Sequence, residues 1–316
     1  MTLKKLPAIP PSHLKIIKAG ADIRDNPEPS PEDISFMARQ LVQATLPHSD
    51  PGNVQFWKRT NGRLTLRIRP GWDNKKERPL GYPYGTIPRL LLFWITTEAL
   101  RTGSRRLYLG TSLTAFMRQL GLDPDNGSVG AKRSDARRLK DQMMRLFRAQ
   151  ISFDREGDHQ EDWLDMQIAD AGSVSLWWDF KQVSQDSIFN SWIELSERFY
   201  KAITIAPVPV DMRALQQLKR SPLALDLYAF VCYRAYIATQ SGSSQFVTWE
   251  QLMKQLGTDY TDTRDFRRYA KIALRKIKLV FPGLRLGPKQ GGIEILPGAS
   301  AVPVKPSRRK VLPPVE

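Results

Sequence analysis

A six-residue pattern occurs twice in this sequence, and it constrains the fold more than any other feature. FMRQLG occupies residues 116–121 and LMKQLG occupies residues 252–257. The first copy ends a segment whose apolar residues recur at i, i+3, i+4 and i+7, the spacing of one buried helix face: Leu113, Phe116, Met117 and Leu120. A repeated amphipathic helix indicates a duplicated unit if the neighbouring elements repeat as well.

The elements that precede the two copies follow the same order. Before the first copy comes an apolar helix, PRLLLFWITTEALRTG, with Pro88 in its first turn and Gly103 after its last, and then a short strand at 105–109. Before the second copy come the apolar helix PLALDLYAFVCYRAYIAT and the short strand QFVTW. Each copy is followed by a turn, a third helix and strands.

A second echo supports the duplication. Asp-x-Arg-Arg occurs at residues 135–138 and again at 265–268, early in each third helix. Helix, short strand, helix, turn, helix and strands is the order of a winged helix, a helix-turn-helix followed by a β-hairpin. We therefore predict an α+β, mainly α fold with two tandem winged-helix domains. Two unrelated helical segments that share a common amphipathic pattern are the alternative.

The predicted domains follow from these repeats. Residues 1–50 are rich in proline and predict an extended N-terminal arm with one short helix around PEDISFMARQLVQATL. Residues 51–206 form the first winged-helix domain, preceded by a hairpin whose Asn61-Gly62 turn accepts positive φ at both residues. Residues 207–297 form the second domain, and residues 298–316 are predicted to be a disordered tail rich in bases and proline.

The charge predicts a polyanionic partner. The 316 residues contain 48 Lys and Arg against 32 Asp and Glu, a net charge of +16. Nucleic acid is the leading partner, and an anionic membrane surface is the alternative. No stretch approaches the roughly 18 apolar residues of a membrane span, and the basic N-terminus lacks the apolar core of a signal peptide. The single cysteine, Cys232, lies in an apolar run and predicts a buried, unreactive thiol in a reducing cytoplasm.

The third helix of the second copy has the strongest DNA-binding pattern. At 100° per residue, five bases fall within an arc of about 80°: Arg264, Arg267, Lys271, Arg275 and Lys278. The opposite side is predicted to face inward: Phe266, Tyr269, Ala273, Ile277 and Val280. Surface helices usually interleave both charge signs, and this face does not, so phosphate contact is favoured over a solvated charged face. The predicted set also includes Arg268, Arg285 and Lys289.

The third helix of the first copy is a weaker candidate. Its predicted DNA contacts are Arg133, Arg137, Arg138 and Arg145, and Asp141 lies among them. The following segment, 154–165, is acidic and is predicted to form the tip of the first wing, where the DNA backbone would repel it. A role in protein contacts and a solubilising tip are both open for this segment.

No enzyme motif is present, so we expect no catalysis, cofactor or metal. The sequence has no G-x-x-x-x-G-K-[ST] phosphate-binding loop. Its three histidines are scattered and form neither the His-x-His of a rolling-circle nickase nor the His-x-x-Arg of a tyrosine recombinase: His13, His48 and His159. Carboxylates in 154–165 could in principle hold Mg²⁺, but a single loop without apolar walls makes a poor metal site.

Two stretches resemble a known family. GTIPRLLLFWITTEALRTGSRRLYLGTSLTAFMRQLG, followed by RRLKDQMMRLF, resembles plasmid-encoded RepA replication initiators. LKRSPLALDLYAF is similar to the junction before the second winged helix of the wider initiator superfamily. Together the two stretches cover roughly residues 84–235, and the acidic insertion at 154–165 departs from the family pattern.

The resemblance implies a bacterial cytoplasmic protein, encoded on a plasmid, that binds double-stranded origin DNA at direct repeats called iterons. It implies that monomers bind the iterons, that homodimers repress the initiator's own gene, and that the host DnaA protein and the replicative helicase are recruited. It also implies that the basic helix 264–278 is the second recognition helix.

Residues and resemblance together predict a plasmid replication initiator without catalysis of its own. A pure transcriptional repressor on the same scaffold, which would bind an inverted repeat as a dimer, is the first alternative. A structure-specific nickase or nuclease is the second. An RNA-binding module is disfavoured because the sequence predicts wings and basic helix faces rather than an exposed aromatic platform.

Overall fold

Helices and five small sheets build an α+β fold in the residues that the computed structural model describes, which are 10–126, 134–156, 161–175, 191–256 and 260–303. The N-terminal part contains α1 (Pro11–Asp25), β1 (Ile34–Ala38), α2 (Arg39–Gln43), β2 (Trp57–Asn61), β3 (Leu64–Arg69), β4 (Trp72–Asp73) and β5 (Arg78–Pro79). The first repeat contains α3 (Thr86–Thr102), β6 (Arg106–Tyr108), α4 (Leu113–Gln119), α5 (Asp135–Arg148), β7 (Gln150–Glu156), β8 (Glu161–Gln167), β9 (Ala169–Ser175) and β10 (Trp192–Leu195).

A connecting segment and the second repeat complete the chain. The connection contains α6 (Glu197–Ile205), β11 (Pro207–Asp211) and α7 (Met212–Leu218). The second repeat contains α8 (Pro222–Ser241), β12 (Gln245–Thr248), α9 (Trp249–Leu256), α10 (Thr263–Val280) and β13 (Gly292–Ile295). The predicted order of three helices in each repeat is confirmed.

Local signals account for the ends of the repeat helices. The Ser112 and Ser221 side chains cap the N-termini of α4 and α8 by accepting backbone N–H groups. α3 and α8 both end at a glycine in the left-handed conformation, Gly103 with φ 64° and Gly242 with φ 65°. Thr248 and Gln251 exchange reciprocal hydrogen bonds at the start of α9, so its N-terminus is a capping box.

The strands after the third helices differ between the repeats. In the second repeat, β12 pairs with β13, and Leu286 bridges Ile295, so the predicted hairpin is present. In the first, β6 pairs with β10 and β10 with β9, whereas β7 and β8 extend the β2–β3 sheet. The acidic residues 154–156 and 161–165 lie on the paired strands β7 and β8, so the hairpin predicted after α5 is present, and it extends the β2–β3 sheet. Residues 157–160 lie outside the described residues.

The turn between β2 and β3 also differs in detail from the prediction. Asn61 pairs with Leu64, which leaves Gly62 and Arg63 as the two turn residues. Of the two predicted positions, only Gly62 has a positive φ, at 58°. A glycine accepts that conformation without strain because it lacks a Cβ.

Residues 11–25 are helical, so the prediction of an extended N-terminal arm is wrong. α1 packs against α7 and α10, with Ile16 and Ile23 buried between them. Gly20 lies so close to α10 that a Cβ at this position would collide with the Leu279 carbonyl oxygen. The residues that hold α1 are thus far away in sequence, and its own pattern gives little sign of them.

Residues 34–38 form a strand, whereas the sequence predicted a helix there. β1 pairs antiparallel with β11 over its whole length, from Ile34 opposite Asp211 to Ala38 opposite Pro207. The strand is also held on α3, because Thr97 Oγ1 accepts the Phe36 N–H at 2.9 Å. The N-terminal segment therefore contacts α3 of the first repeat and pairs with a strand of the connecting segment.

The two repeats meet at a buried polar cluster. Arg89 of α3 and Asp226 of α8 form an ion pair, and both side chains are nearly inaccessible to solvent. His48 Nε2 lies 2.8 Å from Asp226 Oδ2. This cluster connects α3, α8 and the N-terminal segment, so it joins the first helices of the two repeats.

Part of the predicted disordered tail is packed on the second repeat. Thr239 Oγ1 donates to the Gly298 carbonyl at 2.8 Å and accepts from the Gly298 N–H at 3.2 Å. Val302 is buried. The prediction of disorder is wrong for residues 298–303, and residues 304–316 lie outside the described part of the chain.

Candidate nucleic-acid interface

α10 has one buried apolar face and one exposed basic face. Asp262 caps the helix by accepting the Arg264 N–H at 2.8 Å. The buried face consists of Phe266, Ala270, Ala273, Leu274, Ile277 and Val280. All five predicted stripe residues are exposed, and they are called the α10 basic face below: Arg264, Arg267, Lys271, Arg275 and Lys278.

Most of the α10 basic face lacks an acidic partner. Arg264 lies 3.7 Å from Asp262, a long contact at a fully solvated site. For Arg267, Lys271, Arg275 and Lys278, no described carboxylate lies within 4.0 Å. Like charges along one helix face repel each other, so an external anion would stabilise this face.

Arg268 is directed away from this face. Its guanidinium stacks over the Tyr269 ring, 4.7 Å from the centroid. Its Nη2 lies 3.4 Å from Asp265 Oδ1 and donates to the Tyr269 hydroxyl at 3.1 Å. Tyr269 was predicted to face inward but is 43% exposed, and its ring lies 5.4 Å from that of Tyr260. The pair Arg267 and Arg268 therefore does not present two equivalent guanidinium groups to one surface.

The hairpin after α10 presents the other two predicted bases. Lys289 at the tip is exposed, and its Nζ lies 4.3 Å from the centroid of the Phe246 ring on β12. Arg285 is exposed and donates to the Pro297 carbonyl at 3.3 Å. Gly292 lets the hairpin approach β12, because a Cβ there would collide with the Val247 carbonyl oxygen.

The first repeat offers fewer available bases. Ser134 caps α5 and leaves Arg137 and Arg138 exposed on its first turn. Arg138 pairs with Asp135 at 3.0 Å. Arg133 lies outside the described residues.

Arg145, predicted as a DNA contact, is held by contacts within the fold. Its guanidinium lies 3.1 Å from an Asp50 carboxylate oxygen and 3.0 Å from one of Asp141, and it donates to the Tyr82 carbonyl. The side chain is only 17% exposed. A guanidinium paired with two carboxylates is less accessible to a phosphate than the side chains of the α10 basic face.

A short basic hairpin beside α5 was missed by the sequence reasoning. β4 and β5 form this hairpin, and its Lys75, Lys76 and Arg78 are exposed. The prolines and glycines around it predicted only a connection. The sequence pattern that indicates this hairpin is a run of basic residues that follows Trp72 in a turn segment.

Metal-ligand clusters and membrane-spanning helices are absent from the described residues. No group of three or more His, Cys, Asp or Glu within the described ranges could hold a metal ion. Cys232 is buried, as predicted, and burial raises the pKa of its thiol well above the usual range. No helix in the described part of the chain is long and apolar enough to cross a membrane.

Comparison with known protein families gives one match. The family described as plasmid encoded RepA protein matches residues 82–251, more than half of the chain. The matched region runs from just before α3 into the first turn of α9, so α10 lies beyond it. A search of curated proteins finds no significant match.

Proposed function

Because the chain belongs to the plasmid-encoded RepA protein family, we propose that it initiates plasmid replication by binding iterons in the duplex DNA of the origin. Each repeat acts in this proposal as a winged-helix module. In the second module α9, the following turn and α10 are the helix-turn-helix, and the hairpin that ends in β13 is the wing. In the first, α4 and α5 are the corresponding helices.

The α10 basic face is the observation that carries this proposal. Its four bases without a described acidic partner extend along roughly three turns of one helix: Arg267, Lys271, Arg275 and Lys278. An α-helix fits the major groove of B-DNA, where basic side chains along the helix contact phosphates and the edges of the base pairs. Lys289 of the wing adds a contact to the backbone.

The first module contributes less of the binding free energy. Arg137 and Arg138 at the exposed start of α5 are its candidate contacts. The buried pair of Arg89 and Asp226 supports a fixed relation between the two modules, and hence a binding site of fixed length. A site read by two rigidly joined modules fits a direct repeat bound by a monomer.

The rest of the proposed mechanism requires no catalysis. Binding of several copies to adjacent iterons strains the origin DNA and promotes opening of the duplex beside it. The assembled copies recruit the host DnaA protein and the replicative helicase, and homodimers repress the initiator's own gene. Phosphate contacts supply affinity that falls with salt concentration.

The decisive experiment is a DNase footprint of the protein on the plasmid sequence adjacent to its gene. We expect protected direct repeats. The double variant Arg267→Ala/Lys271→Ala should lose these footprints while its circular dichroism spectrum stays unchanged. The control is Arg101→Ala/Lys201→Ala, which removes two exposed bases, each paired with a glutamate, and should keep the footprints.

Three outcomes would contradict the proposal. Unchanged footprints in the Arg267→Ala/Lys271→Ala protein would exclude α10 as the reading helix. Plasmid replication that proceeds without the protein supplied in trans would favour a pure repressor. Relaxation of supercoiled origin DNA in the presence of Mg²⁺ would identify a nickase or nuclease.

A further inference from the structure

The β4–β5 hairpin is fastened to the C-terminal end of α5. The Leu80 N–H donates to the Gly71 carbonyl at 2.8 Å and closes the hairpin base. Arg148 Nη1 donates to the Trp72 carbonyl at 3.1 Å. A Cβ on Gly71 would collide with the Arg148 side chain and carbonyl oxygen. Residues 71–80, called the basic hairpin below, therefore have a defined position beside the third helix of the first repeat.

The basic hairpin places positively charged side chains next to α5. Lys75, Lys76 and Arg78 are exposed. The pKa of Lys140 on α5 is lowered, mainly by burial and further by the positive charges of Arg137 and Lys75. Bases from two elements thus lie close enough to repel one another.

The two acids of the basic hairpin compensate only part of this charge. Asp73 is only 21% exposed, accepts the Lys75 N–H at 3.1 Å and lies 3.9 Å from Lys76 Nζ. Its carboxylate therefore serves mainly to hold the turn. Glu77, the other acid, forms no ion pair with a described base, so it does not neutralise Lys75.

An aromatic ring lies next to these bases. Trp72 is 52% exposed, and within the described ranges its ring stacks on no other ring or cation. A large exposed aromatic side chain flanked by lysines is typical of surfaces that contact nucleic acid, because the ring packs on sugars or bases while the lysines contact phosphates.

We propose that the basic hairpin is a DNA-contacting element of the first repeat, in which Lys75 and Lys76 bind backbone phosphates beside the groove that α5 enters and Trp72 packs on the sugar–phosphate backbone. This inference rests on the proposed function. The proposal is supported by the charge of α5, because Arg138 and Arg145 of this helix are already paired with aspartates. Beside Arg137 of α5, the basic hairpin supplies the first repeat with further exposed bases, of which only Lys76 contacts a described acid, at 3.9 Å.

The continuity with α5 favours DNA over an acidic protein as the partner. Arg137 is exposed on the same helix whose other end holds the basic hairpin. A duplex that lies along α5 would therefore meet both sets of bases. An acidic protein partner would leave DNA binding independent of the basic hairpin.

The test compares salt dependence of DNA binding between two double variants. Lys75→Ala/Lys76→Ala removes two bases of the basic hairpin, and Arg101→Ala/Lys201→Ala removes two exposed bases elsewhere. Fluorescence anisotropy with a duplex of the footprinted repeats gives log K against log salt concentration. Since each phosphate contact contributes a slope of about 0.9, we expect the slope of the hairpin variant to be smaller by roughly 2, and the control slope to equal that of the wild type.

Two further measurements sharpen the result. Hydroxyl-radical footprinting should show loss of protection at one flank of each repeat in the hairpin variant, with the α10 half still protected. Trp72→Ala should weaken binding a few-fold without changing the salt slope, because it removes contact area and no charge.

The outcomes separate this inference from the proposed function. Tight binding by the wild type with an unchanged slope and footprint for Lys75→Ala/Lys76→Ala would overturn the hairpin contact and leave the α10 interface standing. Absence of specific binding by the wild type would overturn both.

Discussion

Arg89 and Asp226 form a bidentate ion pair in the interior, between the first long helix of each repeat. Arg89 Nε donates to Asp226 Oδ1 at 2.7 Å, and Nη2 donates to Oδ2 at 2.8 Å. The remaining guanidinium hydrogens go to the carbonyl oxygens of Leu46, Pro47 and Gly85. One arginine therefore connects the N-terminal segment, α3 and α8.

Removing either partner should destabilise the whole chain. Arg89→Ala leaves the buried Asp226 carboxylate with His48 as its described partner and removes the Arg89 donor from three carbonyl groups, and we expect the free energy of unfolding to fall by about 3–5 kcal/mol. Urea denaturation measures the change. Arg101→Ala, which breaks the exposed pair with Glu98, is the control and should lose less than about 1 kcal/mol. Equal losses in the two variants would show that the buried pair does not hold the repeats together.

The same cluster predicts acid sensitivity. Burial raises the pKa of Asp226, but Arg89 and the hydrogen bond with His48 more than offset this effect and lower the pKa to about 2. The stabilising contribution of Asp226 is therefore present above the unfolded pKa of about 4 and is lost as pH falls towards 2. The pKa of His48 is also lowered, chiefly by burial. Below about pH 6.5 the unfolded chain binds a proton that native His48 resists, so stability again falls with pH.

Unfolding measured between pH 7 and pH 3 checks both groups. We expect the free energy of unfolding to decline in this range, and His48→Gln should flatten the decline just below pH 6.5. The exposed His13 provides the control, since His13→Gln should leave the profile unchanged. A wild-type profile that rises as pH falls below 6.5 would contradict the assignment of a buried neutral His48.

The contact of α1 with α10 predicts an unusual response at Gly20. Gly→Ala in the interior of a helix usually stabilises it by about 0.5–1 kcal/mol. Gly20→Ala should instead destabilise the protein by roughly 1–3 kcal/mol, because the new Cβ collides with the Leu279 carbonyl. Ala21→Val, at an exposed position of the same helix, should change stability by less than about 1 kcal/mol. A gain of stability in Gly20→Ala would mean that α1 does not pack closely on α10.

Arg145 and Arg275 should give opposite results, although the sequence suggested similar roles. Arg145→Ala leaves Asp50 and Asp141 without their partner, so we expect lower stability by about 1–3 kcal/mol and an unchanged salt slope of DNA binding. Arg275→Ala should leave stability unchanged and lower the salt slope by about 1. Denaturant titration and anisotropy on the same two proteins test this contrast, and a lower slope for Arg145→Ala would restore Arg145 to the interface.

Signals that act within one segment were read correctly from the sequence. α3 and α8 follow from long apolar runs that begin with proline and end at glycine, and α10 follows from its apolar spacing. Its exposed basic face was predicted residue by residue for the same reason. A helical period determines which side chains share a face, whatever the rest of the chain does.

Pairings between distant segments could not be read in this way. PEDISFMARQLVQATL has a weak helical pattern, but residues 34–38 become a strand because β11 provides a hydrogen-bonding edge far along the chain. Arg145 lies on the predicted side of α5, but its ion pair with the distant Asp50 could not be read from the sequence. The sequence likewise gives no sign that β7 pairs with β3, a strand more than 80 residues earlier in the chain.

The packing of α1 on α10 has a consequence for synthesis of the chain. Gly20 leaves the ribosome roughly 10–50 s before Leu279, at typical rates of about 5–20 residues per second. During this interval α7 appears first, and Ile16 and Ile23 still lack the part of their cover that α10 provides. The N-terminal helix can therefore complete its packing only after α10 has been made, which couples one of the first segments translated to the appearance of the α10 basic face.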